Sequence, residues 1–212
     1  MFLSRIELPW AVVRNPYDIH RYLWRLFPGE TRESRADASD MRQGFLYRVE
    51  SQATGRPARL ILQSRRAPVR AEGVTLLASK SFHPAPSDGQ RLAFVLTANA
   101  VKTITDQQRD SKAGKRSDKC RVPLIKEADL RAWLARKLRF AANLERVEVH
   151  SHPPLYFRKR NRAGKLAICT FEGVLQVASA LELGALLENG VGPAKAFGCG
   201  LLLVRRLSAG VD

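Results

Sequence analysis

Apolar and polar positions alternate through Phe2-Leu3-Ser4-Arg5-Ile6-Glu7-Leu8, the two-residue period of a strand with one buried face. From Pro16 to Phe27 the period lengthens. Ile19, Leu23, Leu26 and Phe27 recur at i, i+4, i+7 and i+8, a single helical stripe. Asn15 supplies the N-cap, Pro16 the first helical position, and Pro28-Gly29 the stop. The polar stretch Glu30 to Arg42 reads as a loop. Strand patterns return at Phe45 to Glu50 and Arg59 to Ser64, which form a hairpin around Thr54-Gly55-Arg56-Pro57, then at Val74 to Phe82 and Arg91 to Lys102.

Arg109 to Arg121 has the composition of an exposed loop. Lys126 to Ala142 is a second helix, with Leu130, Leu134 and Leu138 four residues apart and Trp133 beside them. A strand begins at Val147 to His150. Pro154 to Arg160 and Lys165 to Phe171 then flank Asn161-Arg162-Ala163-Gly164 as hairpin arms. A helix from Ala180 to Glu188 leads through a glycine-rich loop to a last strand, Leu201 to Leu207. The simplest architecture is α+β: two successive units with antiparallel sheets, at 1–106 and 123–212, joined by a basic linker at 107–122.

With 45% hydrophobic residues the chain has enough apolar surface for a proper core. Its 36 Lys+Arg against 20 Asp+Glu give a net charge of +16, the footprint of a surface that binds an acidic polymer, with RNA the leading candidate. No apolar run reaches the roughly 18 residues of a membrane span, and the N-terminus lacks the pattern of a secretory signal, so a cytoplasmic protein is expected. Cys120, Cys169 and Cys199 lie far apart without CxxC spacing, which predicts free thiols, with Cys169 in the packing.

The segment from Gly190 to Gly200 carries Gly190, Gly192, Gly198 and Gly200 around Lys195. A dinucleotide fingerprint or Walker loop leaves a strand and opens a helix; here the helix comes first, which excludes that mode of nucleotide-cofactor binding. Two readings stand: Lys195 and the loop amides cradle a phosphate, or the glycines let the last strand pack closely. Lys112, Lys115 and Lys119 either order on RNA or form a solvated linker. Arg158, Lys159, Arg160 and Arg162 crowd one hairpin tip, an arrangement that is costly without an anion.

His20 sits one position, about 100°, around from Ile19, at the margin of the core stripe. Tyr17 at i−3 and Trp24 at i+4 share its side. An imidazole near neutrality can take a 2′-hydroxyl proton or protonate a leaving 5′-oxygen without metal, so His20 with Tyr17 is a candidate RNA-cleaving pair. The alternative is a half-buried helix histidine bonded to a neighbour. His150 and His152 alternate onto one strand face but lack a third metal ligand, and His83 reads as surface loop. No HExxH, GxSxG or Walker sequence occurs.

The chain resembles the CRISPR-associated CasE endoribonucleases, the repeat-processing subunits of the Cascade complex. The resemblance is carried by Phe2-Leu3-Ser4-Arg5, His20 with Leu23-Trp24-Arg25-Leu26-Phe27-Pro28, Ala98-Asn99-Ala100-Val101-Lys102-Thr103, Cys120-Arg121-Val122-Pro123-Leu124, Phe171-Glu172-Gly173-Val174-Leu175 and the glycine-rich loop. The Glu30 to Arg42 stretch, the Ser87-Asp88-Gly89 turn and the tail from Ser208 to Asp212 lie outside it.

The resemblance implies two tandem ferredoxin-like, RRM-related domains that bind a repeat stem-loop and cut at the 3′ base of the stem, with no metal or cofactor. His20 and Tyr17 match the family's catalytic pair, and Arg158 to Lys165 its RNA-engaging hairpin. The implied partners are repeat RNA and other Cascade subunits, the protein alone being a monomer. A non-catalytic RNA-holding assembly subunit is the alternative from a different class.

Overall fold

A computed structural model describes residues 1–29, 44–105, 119–159 and 162–207. The expected Glu30 to Arg42 loop, Lys112, Lys115, Arg160 and the tail from Ser208 lie outside the described residues.

The first sheet takes β1 (Phe2–Leu8), β2 (Phe45–Ser51), β3 (Ala58–Ser64) and β4 (Thr75–Ser81) in the order β2-β3-β1-β4, all antiparallel. After β1 come a short α1 (Trp10–Val13) and α2 (Pro16–Leu23), which continues as a 3-10 turn over Trp24–Leu26. The alternation seen in β1 sends Ser4, Ile6 and Leu8 inward. There Ile6 and Leu8 meet Ile19 and Leu23 of α2 and Leu60 and Leu62 of β3 in one apolar core.

The second sheet contains β5 (Arg91–Ala98), β8 (Ala142–Ser151), β11 (Cys169–Val177) and β12 (Leu202–Arg206), ordered β12-β5-β11-β8. Its helices are α3 (Glu127–Leu138) and α4 (Ala180–Asn189). Two hairpins project from this unit: β6 (Val101–Thr105) with β7 (Lys119–Pro123), and β9 (Leu155–Lys159) with β10 (Arg162–Leu166). Trp133, Leu134 and Leu138 of α3 close over Phe94, Leu96, Phe171 and Leu175, and Leu183 and Leu187 of α4 complete the layer. Both sheets have the ferredoxin-like 4-1-3-2 order when their four strands are counted within each unit. The first unit lacks the second crossover helix, because the 65–74 connection is irregular.

Several expectations change. Arg91 to Lys102 is not one strand of the first unit. It splits at Asn99-Ala100, and β5 pairs with β11 and β12 at the centre of the second sheet. The sheets therefore part the chain between Ser81 and Arg91, earlier than 106. Lys119 to Arg121, expected in a loop, belong to β7 opposite Thr103 to Thr105. The basic hairpin is tighter than predicted, with Arg162 opposite Lys159, while Cys169 to Phe171 open β11 instead of closing the hairpin. Sequence period alone could not separate these, since each alternative offers a strand.

Polar bonds and close packing both tie the two units together. The Gln63 amide donates to the Leu187 carbonyl at 2.6 Å, and the Tyr47 hydroxyl to the Ala196 carbonyl at 2.8 Å. The loop after α4 straddles the edge strand β2, because Leu46 and Tyr47 point to opposite faces. Gly190 (φ +74°) approaches Leu46, where an added Cβ would stand 2.9 Å from Leu Cδ1 and 2.8 Å from the Gly200 carbonyl. Gly198 (φ +79°) lies under Tyr47, with a virtual Cβ 3.1 Å from the ring.

Gly190→Ala is expected to destabilise the protein by about 2 kcal/mol or more, from left-handed strain plus the clash. Gly29→Ala, at φ +85° with nothing within 4 Å, isolates the strain alone and costs about 1 kcal/mol. Thermal or denaturant unfolding of both variants checks the difference.

Candidate active site

Helix α2 is built to present its first two turns. The Asn15 side chain accepts from the Tyr17 amide at 3.4 Å, Pro16 needs no donor partner at the first turn, and Asp18 complements the positive end of the helix. Arg21 pairs with Asp18 at 3.1 Å on the outer surface. Ile19 and Leu23 are anchored in the core, so the next positions around the helix fall at the boundary with solvent.

His20 occupies that boundary, half-buried. Its ring centroid lies 5.2 Å from Phe45 and 5.8 Å, edge-on, from Trp24. Phe45 is in turn stacked on Phe27 at 5.4 Å and set edge-to-face with Trp24 at 4.9 Å. The imidazole thus rests against an aromatic cluster, and burial, which penalises the imidazolium, pushes its pKa down to about 4. At neutral pH the ring is uncharged and holds a free lone pair for a proton.

Across the helix N-terminus lies the basic hairpin. The Arg158 amide donates to Asn15 Oδ1 at 3.1 Å, and Asn15 Nδ2 donates to the Arg158 carbonyl at 3.0 Å. Phe157 packs against Phe197 at 4.6 Å, and Phe197 reaches Tyr17 at 6.5 Å, so helix, hairpin and glycine-rich loop meet at one aromatic bridge. Gly164, directly across from Phe157, leaves the space that its ring fills.

Of the expected cations, the Arg158 and Lys165 side chains are exposed on this hairpin, and Lys159 and Arg162 are register partners at the ends of its strands. Lys119 lies in β7, opposite Thr105. Lys195 is half-buried; its ammonium donates to the Asn189 carbonyl at 2.6 Å at the end of α4, and burial together with the nearby Lys137 charge lowers its pKa. Gly192 lies beneath Trp133 and Gly200 against the Val191 backbone, so with Gly190 and Gly198 the four glycines all serve close packing.

The other expectations resolve simply. His152 bonds Thr170 at 2.9 Å, His150 lies 4.0 Å from Glu148, and His83 contacts Ser81. Among the described residues no group of three or more His, Cys, Asp or Glu is arranged to hold a metal, and no helix is long and apolar enough to cross a membrane. The three cysteines are free thiols; burial raises Cys169 to about 11 and Cys199, chiefly by burial, to about 12.

Sequence reasoning missed Phe45, Phe157 and Phe197 as parts of this site. Only Phe197, an aromatic inside a glycine-rich loop, carried a local signal.

The family profile described as CRISPR associated protein matches residues 1–206. The Escherichia coli K12 protein named CRISPR system Cascade subunit CasE is 40% identical over 202 residues, 95% of this chain and 98% of that one. The Thermus thermophilus protein named CRISPR-associated endoribonuclease Cse3 is 33% identical over 207 residues, covering 90% of each chain. The crystal structure of Cas6e from Escherichia coli K-12 superposes with a TM-score of 0.82 at 39% identity, over 98% of this chain and all of that one. On profile, identity and fold together, the chain belongs to the family of CRISPR-associated proteins represented by CasE and Cse3.

Proposed function

We propose that this protein is an endoribonuclease that cuts CRISPR repeat transcripts at the base of a stem-loop, stays bound to the mature guide RNA and works in the cytoplasm as a subunit of Cascade. The relatives' names support the activity and the assembly, and Cse3 has been solved bound to a 19-nucleotide RNA, at a TM-score of 0.75 and 29% identity to this chain. The observation that carries the reading is a neutral imidazole presented at a helix beside a docked basic hairpin.

The reaction is a transesterification. The 2′-hydroxyl next to the scissile bond attacks its own phosphorus as His20 takes the hydroxyl proton. The P–O5′ bond then breaks, leaving a 2′,3′-cyclic phosphate, and the departing 5′-oxygen receives a proton from Tyr17 or water to become a 5′-hydroxyl. One histidine cannot fill both roles at the same instant, which is why a second proton donor is required. Arg158 and its hairpin neighbours supply positive charge toward the phosphorane oxygens. Phosphate tracking by exposed cations, combined with the shape of an A-form stem, gives recognition, because the deep RNA major groove resists side-chain reading away from helix ends.

Wild-type protein is expected to cleave a repeat-derived hairpin in excess EDTA, and His20→Ala to lose about 10²–10⁴ in rate. A 2′-deoxy nucleotide at the cut should abolish cleavage while leaving binding intact. Binding by wild type with no cleavage would favour the RNA-holding alternative.

The lowered His20 pKa has a sign that kinetics can read. Because burial depresses it below the ordinary 6.5, the base form persists as pH falls. The acid limb of kcat/KM should therefore lie below about pH 5, with no inflection near 6.5. Phosphate close to the ring in the bound complex raises its pKa, so the limb of kcat should lie at higher pH than that of kcat/KM. A single-turnover pH series from about 3.5 to 8 at low and saturating protein tests both statements.

A further inference from the structure

Every hydrogen-bonding position of the Asn15 side-chain amide is occupied. Oδ1 accepts from the Tyr17 and Arg158 amides at 3.4 and 3.1 Å; Nδ2 donates to the Arg158 carbonyl at 3.0 Å and to Asp18 Oδ2 at 2.9 Å. An N-cap needs only the first of these. Two of the remaining three bonds are directed at a residue 143 positions away, and they satisfy both its N–H and its C=O.

Arg158 sits opposite Ala163 in the two-stranded hairpin, and its peptide groups turn outward from β10 to the open edge. A single asparagine amide thus stands where a third strand would pair, at one residue and in one register. Phe197 joins the same partners a second time, through Phe157 beside Arg158 and through Tyr17. Two independent contacts hold the hairpin to the first turn of α2, which carries the candidate catalytic pair.

We infer that Asn15 is a positioning residue for RNA cleavage: it clasps the basic hairpin to α2, so that the cations around Arg158 and the Tyr17 and His20 side chains address the same scissile phosphate. This rests on the nuclease reading above. Clasping matters for chemistry more than for attachment, because a hairpin swinging free still attracts phosphate, whereas a displacement of about 1 Å at the reacting centre can cost about 10²-fold in rate.

Asn15→Asp and Asn15→Ser test it, since both residues are good N-caps. Aspartate has no N–H for the Arg158 carbonyl, and serine is too short to reach it. In the RNA-free protein, amide hydrogen exchange at 155–159 is expected to rise about tenfold in both variants while α2 stays protected. With stem-loop RNA and saturating protein, the single-turnover rate should fall about tenfold or more, with affinity changed less than about threefold. Agreement of the neutral serine variant with aspartate removes charge repulsion as the cause.

Unchanged exchange overturns the clasp. Raised exchange with a wild-type cleavage rate, or a rate loss that follows exposure of α2 itself, overturns its role in positioning. If the wild-type protein binds the stem-loop but does not cut it, the nuclease reading fails and the positioning role with it, while exchange still reports whether the clasp exists.

Discussion

One loop must touch several surfaces at once, and the arrangement of the site follows from that. After α4 the chain folds around the edge strand β2, meeting Leu46 on one face and Tyr47 on the other, then places Gly192 under Trp133 and Phe197 between Tyr17 and Phe157. An added Cβ would stand 2.9 Å from Leu46 at Gly190, 2.9 Å from Trp133 at Gly192 and 3.1 Å from Tyr47 at Gly198, so any larger side chain would force these neighbours to shift. The loop holds the first unit, the second unit and the basic hairpin in a common frame, and the left-handed Ala194 (φ 63°) at the start of its 3-10 turn marks how tightly it is bent. Lys195 helps close the structure by satisfying a carbonyl at the end of α4.

Charge is distributed unevenly around this frame. On the sheets and α3, arginines pair with glutamates: Arg59 with Glu7 at 2.9 Å, Arg91 with Glu145 at 2.8 Å and Arg131 with Glu127 at 2.7 Å. Such exposed pairs contribute little to stability, but they neutralise the surface locally. Arg158 and Lys165 have no carboxylate partner among the described residues, which leaves the hairpin as a place where excess positive charge faces water. The aromatic cluster behind His20 contributes the opposite property, a dry wall that keeps the imidazole neutral.

The elements were largely legible in the sequence. The alternation of β1, the stripe of α2, its Asn15 cap and the leucine spacing of α3 all depend on local period, and each folds as its period requires. Pairing was less legible, because an apolar run such as Leu92 to Leu96 fits either sheet until its partners are known; β5 therefore changed units. The position of His20 at the stripe margin was visible from its spacing. Its desolvation was not, since Phe45 reaches it from a strand beyond residues 30–43. The Asn15 contact with Arg158 spans 143 positions, and nothing local announces that a helix cap will also bind a strand edge.

The placement of β5 has a consequence for how the polypeptide is assembled during synthesis. The first sheet draws all four strands from the segment ending at Ser81 and can close while the remainder is still being translated. β5 emerges next, with Leu92, Phe94 and Leu96 waiting for β11 and β12 to leave the ribosome. In the nascent chain the centre of the second sheet is made early and covered late, so the interval between Arg91 and Cys169 is when the protein most needs shelter from aggregation.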